Sequence, residues 1–106
     1  MIECVQVYTA TESRESAVAL AKGATEVRLA AGAQVVGPVI SLFWHLGEFG
    51  EGEEWQVIFK TTAARYPDLE AHLLEHHPWD NPEINAVPIV SGSAAGLDWI
   101  ARSVAK

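Results

Sequence analysis

Residues 76–84 read HHPWDNPEI. Within this stretch an imidazole at His77 and a carboxylate at Glu83 flank a turn stiffened by Pro78 and Pro82. Such a pair can hold a divalent cation. Two ligands do not close a coordination shell, so water or a neighbouring subunit must supply the rest. The same residues also have a structural reading. His77 can close a helix and bond a backbone carbonyl, while Glu83 can pair with a lysine or cap a backbone N–H. Just upstream, His72 and His76 stand four apart in an expected helix. That spacing puts both rings on one face, where they can jointly chelate Cu²⁺, Ni²⁺ or Zn²⁺. Against this, His76 falls near the apolar stripe of Leu69 and Leu73, which favours a partly buried, hydrogen-bonded ring. His45 completes the set of four histidines and is a further candidate metal contact.

A second chemistry involves anions. The ammonium of Lys60, near the end of an expected strand, can hold an anionic ligand or the carboxylate of Glu83. Ser41 belongs to the same hairpin and can line a cleft there, and Trp79 is placed to wall or cover one. Glu48, Glu51, Glu53 and Glu54 crowd the expected hairpin tip, either as a hard-cation attractor or as a solvated acidic surface. For catalysis the sequence offers little. It has no G-x-S-x-G, no HExxH and no glycine-rich phosphate loop, so no enzymatic activity is expected.

These residues sit in a chain of 106 residues, the size of one small domain, with 49% hydrophobic content and a formal net charge of −7. The charge repels nucleic acid and anionic membrane and favours cations or basic partners. No apolar run approaches the length of a membrane span. Cys4 is the only cysteine, so no intrachain disulfide framework exists. No cationic-then-apolar leader opens the chain, which leads us to expect a cytoplasmic protein. A chain that had lost its leader would read the same.

Alternation and turn signals predict a first strand over 2–9. A helix follows, with Thr9 or Thr11 as cap, Glu12 and Glu15 in the first turn, and a stripe of Leu20, Ala24, Val27 and Ala31 ending at Gly32. Residues 33–49 form a long strand, with Gly37-Pro38 marking a bulge on a sheet edge. The glycines of GEGEEW turn the chain, and 55–61 return as the second arm of a hairpin. Trp44 and Trp55 then face each other across it. Thr62 caps a second helix with the stripe Tyr66, Leu69 and Leu73, kinked by Pro67. Residues 83–92 supply a fourth strand. Ser93 caps a last helix whose stripe is Leu97, Ile100 and Val104.

The order β-α-β-β-α-β plus a terminal helix predicts an α+β, ferredoxin-like fold with one antiparallel sheet and both main helices on a single face. One feature conflicts with a lone chain. Val36, Ile40, Leu42, Trp44 and Leu46 are apolar, and so are Val35, Val39 and Phe43, which mostly point the other way. A strand apolar on both faces needs a second cover, so the hairpin is expected to pack against another copy.

The segments RLAAGAQVVGPVISLFWHLG, EEWQVIFKT, HHPWDNPEI and VPIVSGSAAGLDWI, in this order and spacing, resemble the CutA divalent-cation tolerance family over almost the whole chain. That resemblance implies a PII-like homotrimer with interlocking hairpins and a binding or signalling role in divalent-metal, notably copper, homeostasis. It also implies weak Cu or Zn contacts from His77 and Glu83, which match its motif, with His45 a further contact offered by this chain's own departure from the pattern. By analogy with PII-like proteins, the rival reading is a sensor of a small anionic metabolite at a subunit cleft lined by Ser41, Lys60, Trp79 and Glu83. A scaffold that binds no small ligand is the third. The chain departs from the family pattern in several places. Gly32 stands where many members carry cysteine, Phe43 and His45 replace a tyrosine and a tryptophan, Trp79 replaces a tyrosine, and Gly96 replaces an aromatic. Without the cysteine, any metal must be held by imidazole and carboxylate.

Overall fold

The computed structural model describes residues 3–106. Its elements are β1 (Cys4–Thr11), α1 (Arg14–Glu26), β2 (Gly32–His45), β3 (Glu48–Thr62), α2 (Tyr66–His76), β4 (Asn85–Pro88) and α3 (Ala94–Ser103). The expected start of the first strand at Ile2 lies outside the described residues. The four strands form one antiparallel sheet in the order β2-β3-β1-β4, the ferredoxin-like arrangement.

Alternation along the two central strands sorts their side chains between two faces. Val5 and Val7 of β1, with Val57 and Phe59 of β3, point to one face and are buried there. Against them α1 lays Ala17, Leu20 and Ala24, and α2 lays Leu69 and Leu73; this is the core. On the opposite face Cys4, Gln6 and Tyr8 pair with Thr62, Lys60 and Ile58. There α3 packs against β1 and β3. Its Ile100 is buried, as are Val104 just past its end, Cys4 and Thr62. The sheet is therefore covered along one face by two helices and only at one end of the other by the third.

Several local expectations are corrected. The cap of α1 is Ser13, whose hydroxyl accepts the Ser16 N–H at 3.1 Å. Thr9 and Thr11 belong to β1, and Glu12 precedes the helix instead of lying in its first turn. The helix ends at Glu26: Arg28 takes φ 61°, and Ala31 already donates its N–H to Lys60 at 2.8 Å. Val27, outside the helix, is 56% exposed. Pro67 lies in the first turn of α2, where a missing N–H costs nothing, so no kink follows. Thr62 instead accepts the Arg65 N–H in the turn that leads into α2. The expected fourth strand contracts to Asn85–Pro88.

The hairpin is longer and tighter than its glycines suggested. It turns at Leu46-Gly47, with φ 52° and 81°, a two-residue turn of the I′ kind that matches strand twist. Glu48 to Glu54 are consequently strand residues spread along β3, paired with Val39 to His45, and no acidic tip forms. Trp44 meets Phe49 edge-on at 5.8 Å between ring centres. The Trp55 indole covers Gly37, where a Cβ would approach it to 2.6 Å, so the expected Trp44–Trp55 pair does not form. The bulge between Val36 and Val39 does fall at Gly37-Pro38, on the edge strand.

Beyond the bulge the two strands leave the helices behind, and the molecule measures 44 × 25 × 21 Å. Ile40, Leu42, Trp44 and Leu46 are 67%, 62%, 76% and 89% exposed on this arm. Phe59, by contrast, is wholly buried between the sheet and both main helices. Replacing Phe59 by alanine should cost about 3–5 kcal/mol in chemical denaturation; a loss under about 1 kcal/mol would show that the core is not centred there.

Candidate functional site: the 76–84 turn and its surroundings

The buried positions of α2 are Leu69 and Leu73, and one further step of four reaches His77, not His76. His77 is accordingly only 8% exposed. Its backbone N–H still donates to Leu73 O at 2.8 Å, closing the helix. Across the fold, its Nε2 lies 2.9 Å from Ala10 O and 3.2 Å from the Thr9 hydroxyl. On the other side of the ring, Nδ1 accepts the Trp79 N–H at 3.1 Å. An acceptor Nδ1 requires the proton on Nε2, so the ring is the neutral Nε2–H tautomer, donating to Ala10 O. Both nitrogens are thus spent within the fold, and a cation at His77 would have to displace one of these bonds.

Trp79 adds a second fastening. Its indole ring centre lies 5.2 Å from that of His77, and its Nε1–H donates to the Glu12 carboxylate. Together they hold the turn after α2 to the end of β1 and the approach to α1. Glu12 carried no signal for this role, because its partner lies 67 residues away in sequence. Burial lowers the His77 pKa below the ordinary histidine value, partly countered by its bond to Ala10 and by the Glu12 charge.

The remaining candidates are dispersed. Glu83 is exposed just before β4. His45 is exposed beside the hairpin turn, paired with Glu48. On β3 the partners of His45 and Thr9 are Glu48 and Val57, nine residues apart, or about 30 Å at strand rise. One chain therefore does not bring His45 to His77. Ser41 donates its hydroxyl to Glu54 at 2.7 Å on the projecting arm. Its partner Gly52 is eight residues from Lys60 along β3, about 26 Å, so Ser41 and Lys60 do not meet within one chain either. Lys60 lies on the face opposite the core, between Gln6 and Gly32. No ion pair joins it to Glu83 or to another carboxylate among the described residues.

As for a metal, no three His, Cys, Asp or Glu side chains converge as a ligand group among the described residues. A closed site within a single chain does not fit these residues. At Gly32 the Trp99 ring occupies the space of a side chain, coming within 3.2 Å of where a Cβ would stand. Cys4, the only thiol, is buried, and burial raises its pKa, which disfavours thiolate ligation.

The sequence profile described as CutA1 divalent ion tolerance protein matches residues 5–103. The chain belongs to the CutA1 family. It is 36% identical over 94 residues to the divalent-cation tolerance protein CutA of Thermus thermophilus, which covers 89% of this chain and 91% of that one. The crystal structure of CutA1 from Oryza sativa superposes with a TM-score of 0.94 at 28% identity, covering 99% of this chain and 96% of that one. The Archaeoglobus fulgidus CutA structure, described as a periplasmic divalent cation tolerance protein, gives 0.91 at 31%, covering 95% and 98%. The family is named for tolerance of divalent ions, not for a catalysed reaction.

These CutA1 relatives correct the expectation of a cytoplasmic protein. Besides the periplasmic archaeal structure, the rice relative is chloroplastic, 28% identical over 96% of this chain and 58% of its own length. The Arabidopsis thaliana relative, 29% identical over 96% of this chain and 56% of its own, is chloroplastic too. The opening residues and the single cysteine therefore do not identify a compartment.

The depressed His77 pKa has a definite consequence for stability. Below about pH 6.5 the unfolded chain takes up a proton that the folded ring resists, so folding stability should fall as pH drops through that value toward the lowered one. His72 is also lowered, by burial and then by the charge of His76, and contributes to the same limb. Urea midpoints between pH 7.5 and pH 5.5 should flatten in His77→Gln beyond any flattening in His72→Gln; an unchanged slope in His77→Gln would refute this role for the ring.

Proposed function

We propose that the chain is a homotrimeric binding module, without enzymatic activity, that takes part in divalent-metal tolerance, copper included. Family membership over residues 5–103 carries this reading. The trimeric part is supported by the arm: Ile40, Leu42, Trp44, Leu46 and Phe49 are all exposed. Covering each such side chain is worth about 1.5–3 kcal/mol, a strong drive to find a partner surface. Three copies related by rotation can lend each arm to the next and close the set. In the trimer, water or a neighbouring chain completes weak Cu or Zn contacts that Glu83 and His45 offer singly and that His77 offers only by giving up one of its hydrogen bonds.

One observation favours a second reading, a sensor of a small anionic metabolite. Lys60 presents an ammonium on the partly covered sheet face with no carboxylate paired to it among the described residues. If neighbouring arms bring Ser41 to that face, a cleft with Trp79 and Glu83 at its rim can form between chains.

Sedimentation equilibrium should give three times the chain mass of 11.5 kDa for the native protein and a smaller assembly for Leu42→Glu/Trp44→Glu. A monomeric native protein would end the trimer reading. In bacterial cells that lack their own member of this family, expressing the chain should raise the copper concentration that halves growth. Growth curves indistinguishable from an empty vector would count against the tolerance role.

A further inference from the structure

α2 carries a pair of imidazoles that the turn after the helix does not use: His72, partly buried beside α1, and His76, exposed one turn further on. The rings of His72 and His76 are stacked, with centres 4.1 Å apart and planes 27° from parallel. His76 Nδ1 lies 2.8 Å from His72 O. A carbonyl only accepts, so Nδ1 carries the proton and, in the neutral ring, Nε2 keeps a bare lone pair. His72 has no hydrogen-bond partner on either ring nitrogen among the described residues, and its Nε2 lies 3.6 Å from where a Cβ at Gly23 would stand. Glycine at that position of α1 leaves the ring room to turn.

We propose that His72 and His76 form a divalent-cation site on α2, selective for Cu²⁺ over Zn²⁺, with water filling the remaining positions. This deepens the tolerance reading and rests on it for the class of ligand. Nitrogen–metal bonds run about 2.0–2.1 Å, so two donors on one ion stand at most about 4.2 Å apart. The rings are already 4.1 Å apart at their centres, so the unbonded His72 ring needs only to turn while His76 keeps its bond to His72 O. Two imidazoles suit borderline cations, and among these the affinity order favours Cu²⁺. The electrostatics agree. Glu75, one turn from His72 and exposed, adds negative charge, and the chain as a whole carries −7. His77, by comparison, would lose a hydrogen bond on binding, whereas the His72–His76 pair loses none.

The test is calorimetric titration of the EDTA-treated native oligomer with Cu²⁺ and Zn²⁺, beside His72→Gln, His76→Gln, His45→Gln and Glu83→Gln. Circular dichroism and sedimentation confirm equal fold and assembly. We expect saturable binding of one Cu²⁺ per chain at this site, weakened by about tenfold or more in each of the first two variants, with any loss in the last two confined to weaker, additional binding. Nitrogen couplings in the electron paramagnetic resonance spectrum of the Cu²⁺ complex should diminish in the same two variants. Binding lost only in His45→Gln or Glu83→Gln would overturn this site while leaving the tolerance reading intact. Absence of saturable binding in the native protein would also overturn it. The growth assay judges the tolerance reading separately.

Discussion

A four-stranded sheet has two faces, and this chain supplies two long-packed helices to only one of them. The rest of the structure follows from that constraint. Val7, Val57 and Phe59 on the helix side meet Leu20, Leu69 and Leu73 and form a closed core. On the other side α3 reaches only the Cys4–Thr62 end, and β2 and β3 continue past any cover. Burial of apolar area is the main favourable term in folding. A chain that leaves Ile40, Leu42 and Trp44 in water leaves part of that term unrealised within one copy.

The turn at 76–84 depends on the same core. The heptad-like step from Leu69 to Leu73 to His77 carries the buried stripe of α2 one residue beyond the helix. A polar ring at its end must be satisfied, and the end of β1 satisfies it through Ala10 O while Trp79 N–H fills the other nitrogen. The two prolines limit the turn's freedom, and the Trp79–Glu12 bond ties it to the start of α1. His72, partly buried beside α1, and His76, exposed, stand four apart on the same helix and are not bound into the turn. His76 and His77 differ in burial because one residue along a helix rotates a side chain by about 100°.

Departures from the family pattern acquire a physical reason in the packed molecule. Glycine at 32 and tryptophan at 99 are complementary: the indole lies where a side chain at 32 would stand. Glycine at 37 and tryptophan at 55 repeat the arrangement at the bulge. In each case an aromatic ring on one element covers bare backbone on another. Only the glycine is visible at its own position; its reason lies on a different strand or helix.

Strand and helix periodicity, the caps at Ser93, the bulge at Gly37-Pro38 and the two-faced apolar strand were all legible in the sequence, because each depends on residues a few positions apart. So was the fold class, since the element order β-α-β-β-α-β leaves few topologies. The tertiary structure alone decided which of four histidines is buried, since one position along α2 separates the core from solvent. It alone paired Trp79 with Glu12 and His77 with Ala10, contacts spanning 67 residues that no local pattern encodes. It also separated Ser41 from Lys60 and His45 from His77. Distance along an extended strand grows by about 3.3 Å with every residue, and no loop in this chain brings the arm back.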